Sequence, residues 1–309
     1  MPWKLKAHLL ALLGRVPGGP AIYRAVQNAR AARAQDADEL LGRALDSLAL
    51  HREAGGQLPP GDCLEVGVGW CPWLPLLLRL SGAGRVLMLD LNRWLSHATA
   101  IATTRALHER ADRAAAALHL EPLRVREQLS ALLATPTLEA WLDASALEYH
   151  SPTDARAVAL PSASVNVVFS SNVLEHVAAD DLPALHREVR RLLRPGGLAV
   201  HRFNPQDHFA AGDRSITGAN FLQFSAKEWQ ALGGAGLAPH NRLRCIQHAQ
   251  LMTAAGLDIT VSRTRPDPRA RIAIESGALR VHPNFAGMKP SELSDDYMWI
   301  AAQPSAARL

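Results

Sequence analysis

Cysteine is scarce: the 309 residues hold three, Cys63, Cys71 and Cys245, with no CxxC pair and no metal-ligand spacing among them. That excludes a disulfide framework and reads as a chain of a reducing compartment, with the cytoplasm as the expected location. Long apolar runs are missing too. The run around Leu74 to Leu80 is interrupted by Pro75 and Arg79 and is too short to cross a bilayer, so no integral membrane segment is expected. The net charge is +4, yet no arginine-rich block with interleaved aromatics appears. A basic balance without such a block gives nucleic acid no footprint, and no nucleic-acid partner is expected. Residues 1 to 35 lack any acid while holding Lys4, Lys6, Arg15, Arg24, Arg30 and Arg33. Such a stretch is similar to a transit peptide or a surface-binding amphipathic helix, but it also lacks serine, in which transit peptides are rich. The favoured reading is ordinary helices covering the main domain.

What is present belongs to a soluble globular protein: 20% charged and 48% hydrophobic residues, with length enough for a sizeable core. No internal repeat is found, and alanine enrichment is the main compositional bias. Apolar residues at helical spacing run from Trp3 to Leu13, broken by Val16-Pro17-Gly18-Gly19-Pro20. A second helix is predicted over Ala21 to Arg33, and a third from an Asp36 N-cap to His51, closed by Gly55 and Gly56. These helices precede the first strand. Residues 1–58 are read as a helical lid or cap and 59–309 as the main domain, with Tyr23 and Gln27 as candidates to face a site.

The chain is organised around residues 63 to 73, CLEVGVGWCPW. A strand from Cys63 to Val66 runs into Gly67 and Gly69, where the absence of Cβ atoms lets backbone approach a ligand closely. A helix follows, with Pro72 suited to its first turn, and aims free N–H groups and a positive dipole end at the same place. Glu65 adds a carboxylate, which suits hydroxyls or an amine and repels phosphate. The implied nucleotide therefore carries no phosphate. The second strand, Arg85 to Asp90, ends on an acid placed to grip a ribose diol.

From Trp94 to Ala146 the sequence is helical, with breaks near Glu121-Pro122 and Thr135-Pro136, and reads as an insertion near the site. Strands are predicted at Leu147 to His150, Val165 to Ser170 and Leu198 to Phe203, with a helix from Asp181 to Arg194 stopped by Pro195-Gly196-Gly197. Asp154 and Ala155 fall in a loop where an acid can reach an adenine amine. Later come a capping box at Ser225 to Glu228 before a helix carrying Trp229, a helix over roughly Arg242 to Ala255, and strands at Asp258 to Ser262 and Tyr297 to Ala302.

Four segments in this order carry a resemblance: LEVGVGW at 64 to 70, LDLN at 89 to 92, SNVLEHV at 171 to 177 and LLRPGGL at 192 to 198. Over about residues 60 to 303 the chain resembles the class I S-adenosylmethionine-dependent methyltransferases. With its NRLR at 241 to 244 it is similar to a subgroup often found near glycan or natural-product biosynthesis. The resemblance implies an α/β Rossmann-like fold, a seven-stranded mostly parallel sheet with helices on both faces, and S-adenosyl-L-methionine as cofactor. It puts Glu65, Gly67 and Gly69 around the methionine moiety and ribose, Asp90 on the ribose hydroxyls, Asp154 and Ala155 on the adenine, and Asn172 beside the sulfonium. Trp70 and Leu91 flank the same site. Cys71 replaces a usual third glycine, and Asn166 stands where the family commonly has aspartate.

Methyl transfer is a displacement in which positioning supplies much of the rate, and a base is needed only where the acceptor loses a proton. His176, His201 and His208 are candidates near the strand ends. His208 is favoured, while the histidine of an LEHV segment often packs structurally. Asp207, His208 and Asp213 match no established metal motif, so no metal is expected. Arg242 or Arg244 is a candidate to bind an anionic acceptor, against salt bridges as the plainer role; Arg242 is carried forward. The expected function is O- or N-methylation of a small molecule or sugar intermediate. The alternative is a cyclase of the same fold converting the cofactor to azetidine-2-carboxylate and methylthioadenosine. A nicotinamide dehydrogenase fits less well, since Glu65 would face its pyrophosphate. A small-molecule acceptor is the expected partner; oligomeric state is open, a homodimer included.

Overall fold

The computed structural model describes residues 1–33, 36–234, 237 and 240–306. Three helices come first: α1 (Trp3–Arg15), α2 (Gly19–Arg33) and α3 (Ala37–Glu53). Asp36 caps α3 by accepting the N–H groups of Asp38 and Glu39, as its position before an apolar periodic run predicts. Arg24, Arg30 and Arg33, singled out for their charge, lie outside the described side chains.

The alternation then begins with β1 (Cys63–Val66), α4 (Trp73–Leu80) and β2 (Val86–Leu89). Four helices fill the insertion: α5 (His97–Glu109), α6 (Ala111–Leu118), α7 (Pro122–Leu133) and α8 (Leu138–Ser145). β3 (Leu147–His150), β4 (Val165–Ser171), α9 (Leu182–Leu192) and β5 (Leu193–Phe203) complete the parallel part. α10 (Ala226–Trp229), α11 (Cys245–Ala254), β6 (Leu257–Pro266), α12 (Pro268–Glu275), α13 (Pro290–Ser294) and β7 (Asp295–Pro304) follow.

The seven strands form one sheet in the order β3-β2-β1-β4-β5-β7-β6. β1 pairs in parallel with both β2 and β4, while β7 runs antiparallel between β5 and β6. The chain winds outward from β1 to one side and from β4 to the other. The gap beyond the carboxyl ends of β1 and β4 is thus the place where an open α/β sheet binds its ligand.

Strand residues alternate between two cores. Cys63, Val86, Met88, Val167, Phe169 and Val200 face the side covered by α3 to α8, and Leu64, Val66, Leu87, Leu89, Val168 and Ala199 face α9 and α11. Leu41, Leu48 and Leu50 place α3 in the first of these cores. A third, smaller core joins the two ends of the chain: Trp3 of α1 packs against Phe209, Phe224 and Trp229, with ring centroids 5.8–6.3 Å apart.

Several boundaries differ from the sequence reading. α9 ends at Leu192, because Leu193 already pairs with Val165 and the following Pro-Gly-Gly forms an irregularity inside β5. α11 starts at Cys245, with Arg242 and Arg244 in the preceding loop. α12 and α13 were not anticipated. No helix among the described residues is long and apolar enough to cross a membrane.

Candidate cofactor and active site

A cavity of about 820 Å³ opens over the carboxyl ends of β1 and β4. At one end stand the two glycines. Gly67 has φ +75°, and a Cβ there would meet Val173 Cγ2 at 2.4 Å. Gly69 has φ +68° with nothing within 4 Å of its Cβ position, so its conformation and the space above it are both kept for something other than protein.

Glu65 sits at the end of β1, buried, with Oε2 lacking any hydrogen-bond partner. Burial first, and Asp90 second, push its carboxyl up to about 8. The sequence reading treated Glu65 as a fixed negative charge. Out of reach of water it is instead held neutral near pH 7, and it needs an incoming cation or donor to ionise. Asp90, at the end of β2, accepts the Gly69 N–H at 3.1–3.2 Å and the Tyr149 hydroxyl at 3.1 Å. Burial pushes it up to about 7, opposed by those two hydrogen bonds. Tyr149 also accepts the N–H groups of Trp94 and Leu95 at 3.2 and 3.4 Å.

Trp70 and Trp94 meet at 4.8 Å between ring centroids and line the same end of the cavity. Leu91, just past Asp90, is 67% exposed on the cavity wall and offers an apolar platform. Asp154 and Ala155 also line it; the Arg156 guanidinium beside Asp154 holds that carboxyl below its usual range and reaches Asp181 as well.

Asn172, His176 and His208 also line the cavity, with Tyr23 and Gln27 from α2. Asn172 has φ +55°, a left-handed conformation uncommon outside glycine. Its N–H donates to Arg202 O at 2.8 Å, and its Oδ1 accepts the Tyr297 hydroxyl at 2.8 Å. The ring of His208 lies 5.1 Å from that of His176 and stacks 5.0 Å from that of His240. Nε2 of His208 is paired with Asn204 Oδ1. Burial, then the neighbouring His176, holds this imidazole down at about 4. Glu175, His176 and His208 bring potential ligand atoms within 4.8 Å of one another, whereas Asp207 and Asp213 belong elsewhere: Asp207 holds Asn220 and Asp213 accepts the Trp3 N–H. Glu175 is buried with Oε2 unpartnered, and burial raises its carboxyl.

Two expectations are corrected. Arg242 does not line the cavity: its guanidinium donates to Phe221 O and Phe224 O at 3.1 and 2.5 Å and lies over the Phe285 ring. Arg244 is buried and donates to Pro205 O and Asp295 O. Both are structural, as is Asn241, whose Nδ2 donates to Leu174 O and Val177 O at 2.7 and 2.8 Å and pins the loop carrying Asn172 and His176. His201 is buried away from the cavity, its Nδ1 paired with Ser170 Oγ at 2.8 Å. Tyr149 and Tyr297 escaped sequence reasoning, because each reaches its partner from a distant segment with no local motif around it, and Trp94 was passed over although it stands just past the LDLN segment.

The donor set fits a sulfonium nucleoside. An orphaned buried carboxyl, Glu65, faces the glycine turn with a second buried acid, Asp90, beside it, and the arginines that line the cavity, Arg43 and Arg156, are paired with Glu39 and with Asp154 and Asp181.

Residues 64–201 match the family described as "Methyltransferase domain". A comparison with curated proteins finds no match. Among solved structures, the chain is similar to geranyl diphosphate C-methyltransferase from Streptomyces coelicolor A3(2), at 14% identity over 84% of this chain and 78% of that one, TM-score 0.45. It is similar to an S-adenosylmethionine-dependent methyltransferase from Mesorhizobium loti, at 18% identity over 85% and 99%, TM-score 0.44. It is also similar to phosphoethanolamine N-methyltransferase 2 of Haemonchus contortus, at 17% identity over 84% and 52%, TM-score 0.46. The segment from the glycine turn into β5, residues 64–201, thus matches a methyltransferase domain.

Proposed function

We propose that the protein methylates an oxygen or nitrogen of a small molecule or sugar intermediate, bound at the end of the cavity bounded by Asn172, His176, His208, Tyr23 and Gln27. One observation carries this reading: a single cavity runs from the paired acids Glu65 and Asp90 to the two histidines, and its volume suits a small-molecule site of roughly 300–1,000 Å³.

In this reading Glu65 takes the amine of the methionine moiety, Asp90 the ribose hydroxyls, and Asp154 with Ala155 the adenine, which lies on Leu91. Asn172, fixed by Tyr297, borders the reacting centre. Bound there, the cofactor supplies an electrophilic methyl group. The chain's own task is to hold the acceptor in line and to take its proton. His208, neutral at physiological pH, accepts that proton. Glu175 stabilises the resulting imidazolium, and the exposed His176 passes the proton to solvent. α1 and α2 act as the lid over this end.

The test is product analysis by mass spectrometry with a panel of hydroxyl and amine acceptors and S-adenosylmethionine. Acceptor-dependent S-adenosylhomocysteine and a methylated product support the reading. Methylthioadenosine formed without acceptor would replace it with cofactor cyclisation.

A further inference from the structure

The first two helices present apolar surface on two opposite sides. At about 100° per residue, Trp3, Ala7, Leu10 and Gly14 of α1 share one face, and there Trp3 and Ala7 are buried against the rest of the chain while Gly14 adjoins Leu237. Leu5, Leu9 and Leu12 fall within an arc of about 60° on the reverse side, and Val16 is the residue that follows the helix. These four are 51%, 50%, 60% and 40% exposed. Ile22 and Val26 form a similar pair on α2, 55% and 52% exposed, and α2 packs against α1. Seven of the eleven exposed large hydrophobic residues described in the chain, Met1 included, lie within residues 1–26. An amphipathic helix covering a core needs one apolar face; a second, solvent-facing one marks an interaction surface.

The charge around this surface selects the partner. Residues 1–35 hold six lysines and arginines and no acid, although the whole chain is nearly balanced, with 33 basic and 29 acidic residues. Lys4, His8 and Arg15 are exposed and lie on the same flank of the apolar arc on the α1 wheel. An apolar strip flanked by basic side chains, with no acid to be repelled, is the pattern of a helix lying in the interface of a negatively charged bilayer.

We propose that the outer face of α1 and α2 docks on an anionic lipid surface. The apolar row enters the headgroup boundary, and the basic flank pairs with lipid phosphates. α2 then works on two sides at once. Tyr23 and Gln27 line the cavity, while Ile22 and Val26, on another side of the same helix, meet the lipid. Docking thus brings the mouth of the acceptor end to the bilayer.

Flotation of the full chain on sucrose gradients with phosphatidylcholine vesicles, with and without phosphatidylglycerol, tests this. The wild type floats with the anionic vesicles, and raised salt weakens the association. The double substitution Leu9→Gln and Leu12→Gln lowers the vesicle-bound fraction about tenfold, and Lys4→Glu with Arg15→Glu lowers it by a similar factor. Both variants keep wild-type affinity for S-adenosylhomocysteine, which shows that they fold. The proposal is overturned if the wild type stays at the bottom of the gradient, if the leucine variant floats equally well, or if light scattering finds a dimer that the leucine variant converts to monomer. The last result would assign the face to a second copy.

Discussion

Tyr149 donates its hydroxyl proton to Asp90 Oδ2 at 3.1 Å while the same oxygen accepts the Trp94 N–H at 3.2 Å. One phenol thereby fixes the Asp90 carboxyl and ties it to the segment that carries Trp94 against Trp70. Tyr149→Phe removes the hydrogen bond to Asp90, about 0.5–1.5 kcal/mol, together with those accepted from the Trp94 and Leu95 N–H groups, so S-adenosylhomocysteine binding is expected to weaken by about tenfold or more. Fluorescence titration of the variant checks this, and the fold should be unchanged by circular dichroism.

With the cofactor bound at Glu65 and Asp90 as proposed, binding is expected to couple to their protons. Glu65 is pushed up to about 8 and Asp90 to about 7, so near pH 7 the pair holds protons that exposed carboxyls would have lost. A bound cation favours the ionised form and lowers both values. Binding at pH 7 therefore releases protons, and affinity rises as pH climbs from about 6 to 8. Calorimetry in buffers of different ionisation enthalpy measures the released protons, and Glu65→Gln should reduce their number.

His208→Ala should lower kcat by about a hundred- to ten-thousand-fold with little change in cofactor affinity, because the role proposed for it is to take the acceptor's proton. A chelator separates this role from metal ligation by Glu175, His176 and His208. Activity unchanged by chelation supports proton transfer. Loss of activity restored by added zinc or manganese would reassign the three as ligands.

Acid stability follows from histidines outside the site. Burial holds His186 down at about 4 and His201 and His248 at about 3, and both ring nitrogens of His186 and His248 and Nε2 of His201 lack partners. In the unfolded chain these rings take protons near 6.5, whereas the folded chain refuses them until much lower pH. The unfolded state therefore binds more protons in between. The stabilisation is complete above 6.5 and is lost as pH falls toward 3–4, at up to about 1.4 kcal/mol per pH unit for each ring. Thermal melts should show a plateau above pH 7 and a falling Tm below 6.5, with a shallower fall in His248→Leu.

Local signals were legible in the sequence where the cause is local. The Cys63–Val66 strand, the Asp36 cap and the Ser225 capping box all rest on neighbours a few residues away. The positions of Glu65, Gly69 and Asp90 on the cavity were legible because the glycine turn and the two strand ends follow a shared pattern of spacing. Arg242 was misjudged because nothing around it in sequence reveals the carbonyls of Phe221 and Phe224 that occupy it. Tyr149 and Tyr297 were passed over for the converse reason: their partners, Asp90 and Asn172, lie 59 and 125 residues away. The protonation of Glu65 was out of reach as well, since burial decides it and a sequence does not give burial.

Titration calorimetry with S-adenosylmethionine on the wild type, Asp90→Ala and Glu65→Ala tests the cofactor site most directly. One site per chain is expected for the wild type, with affinity at least about tenfold lower in each variant. No binding heat in the wild type, or equal affinity in all three proteins, would contradict the account.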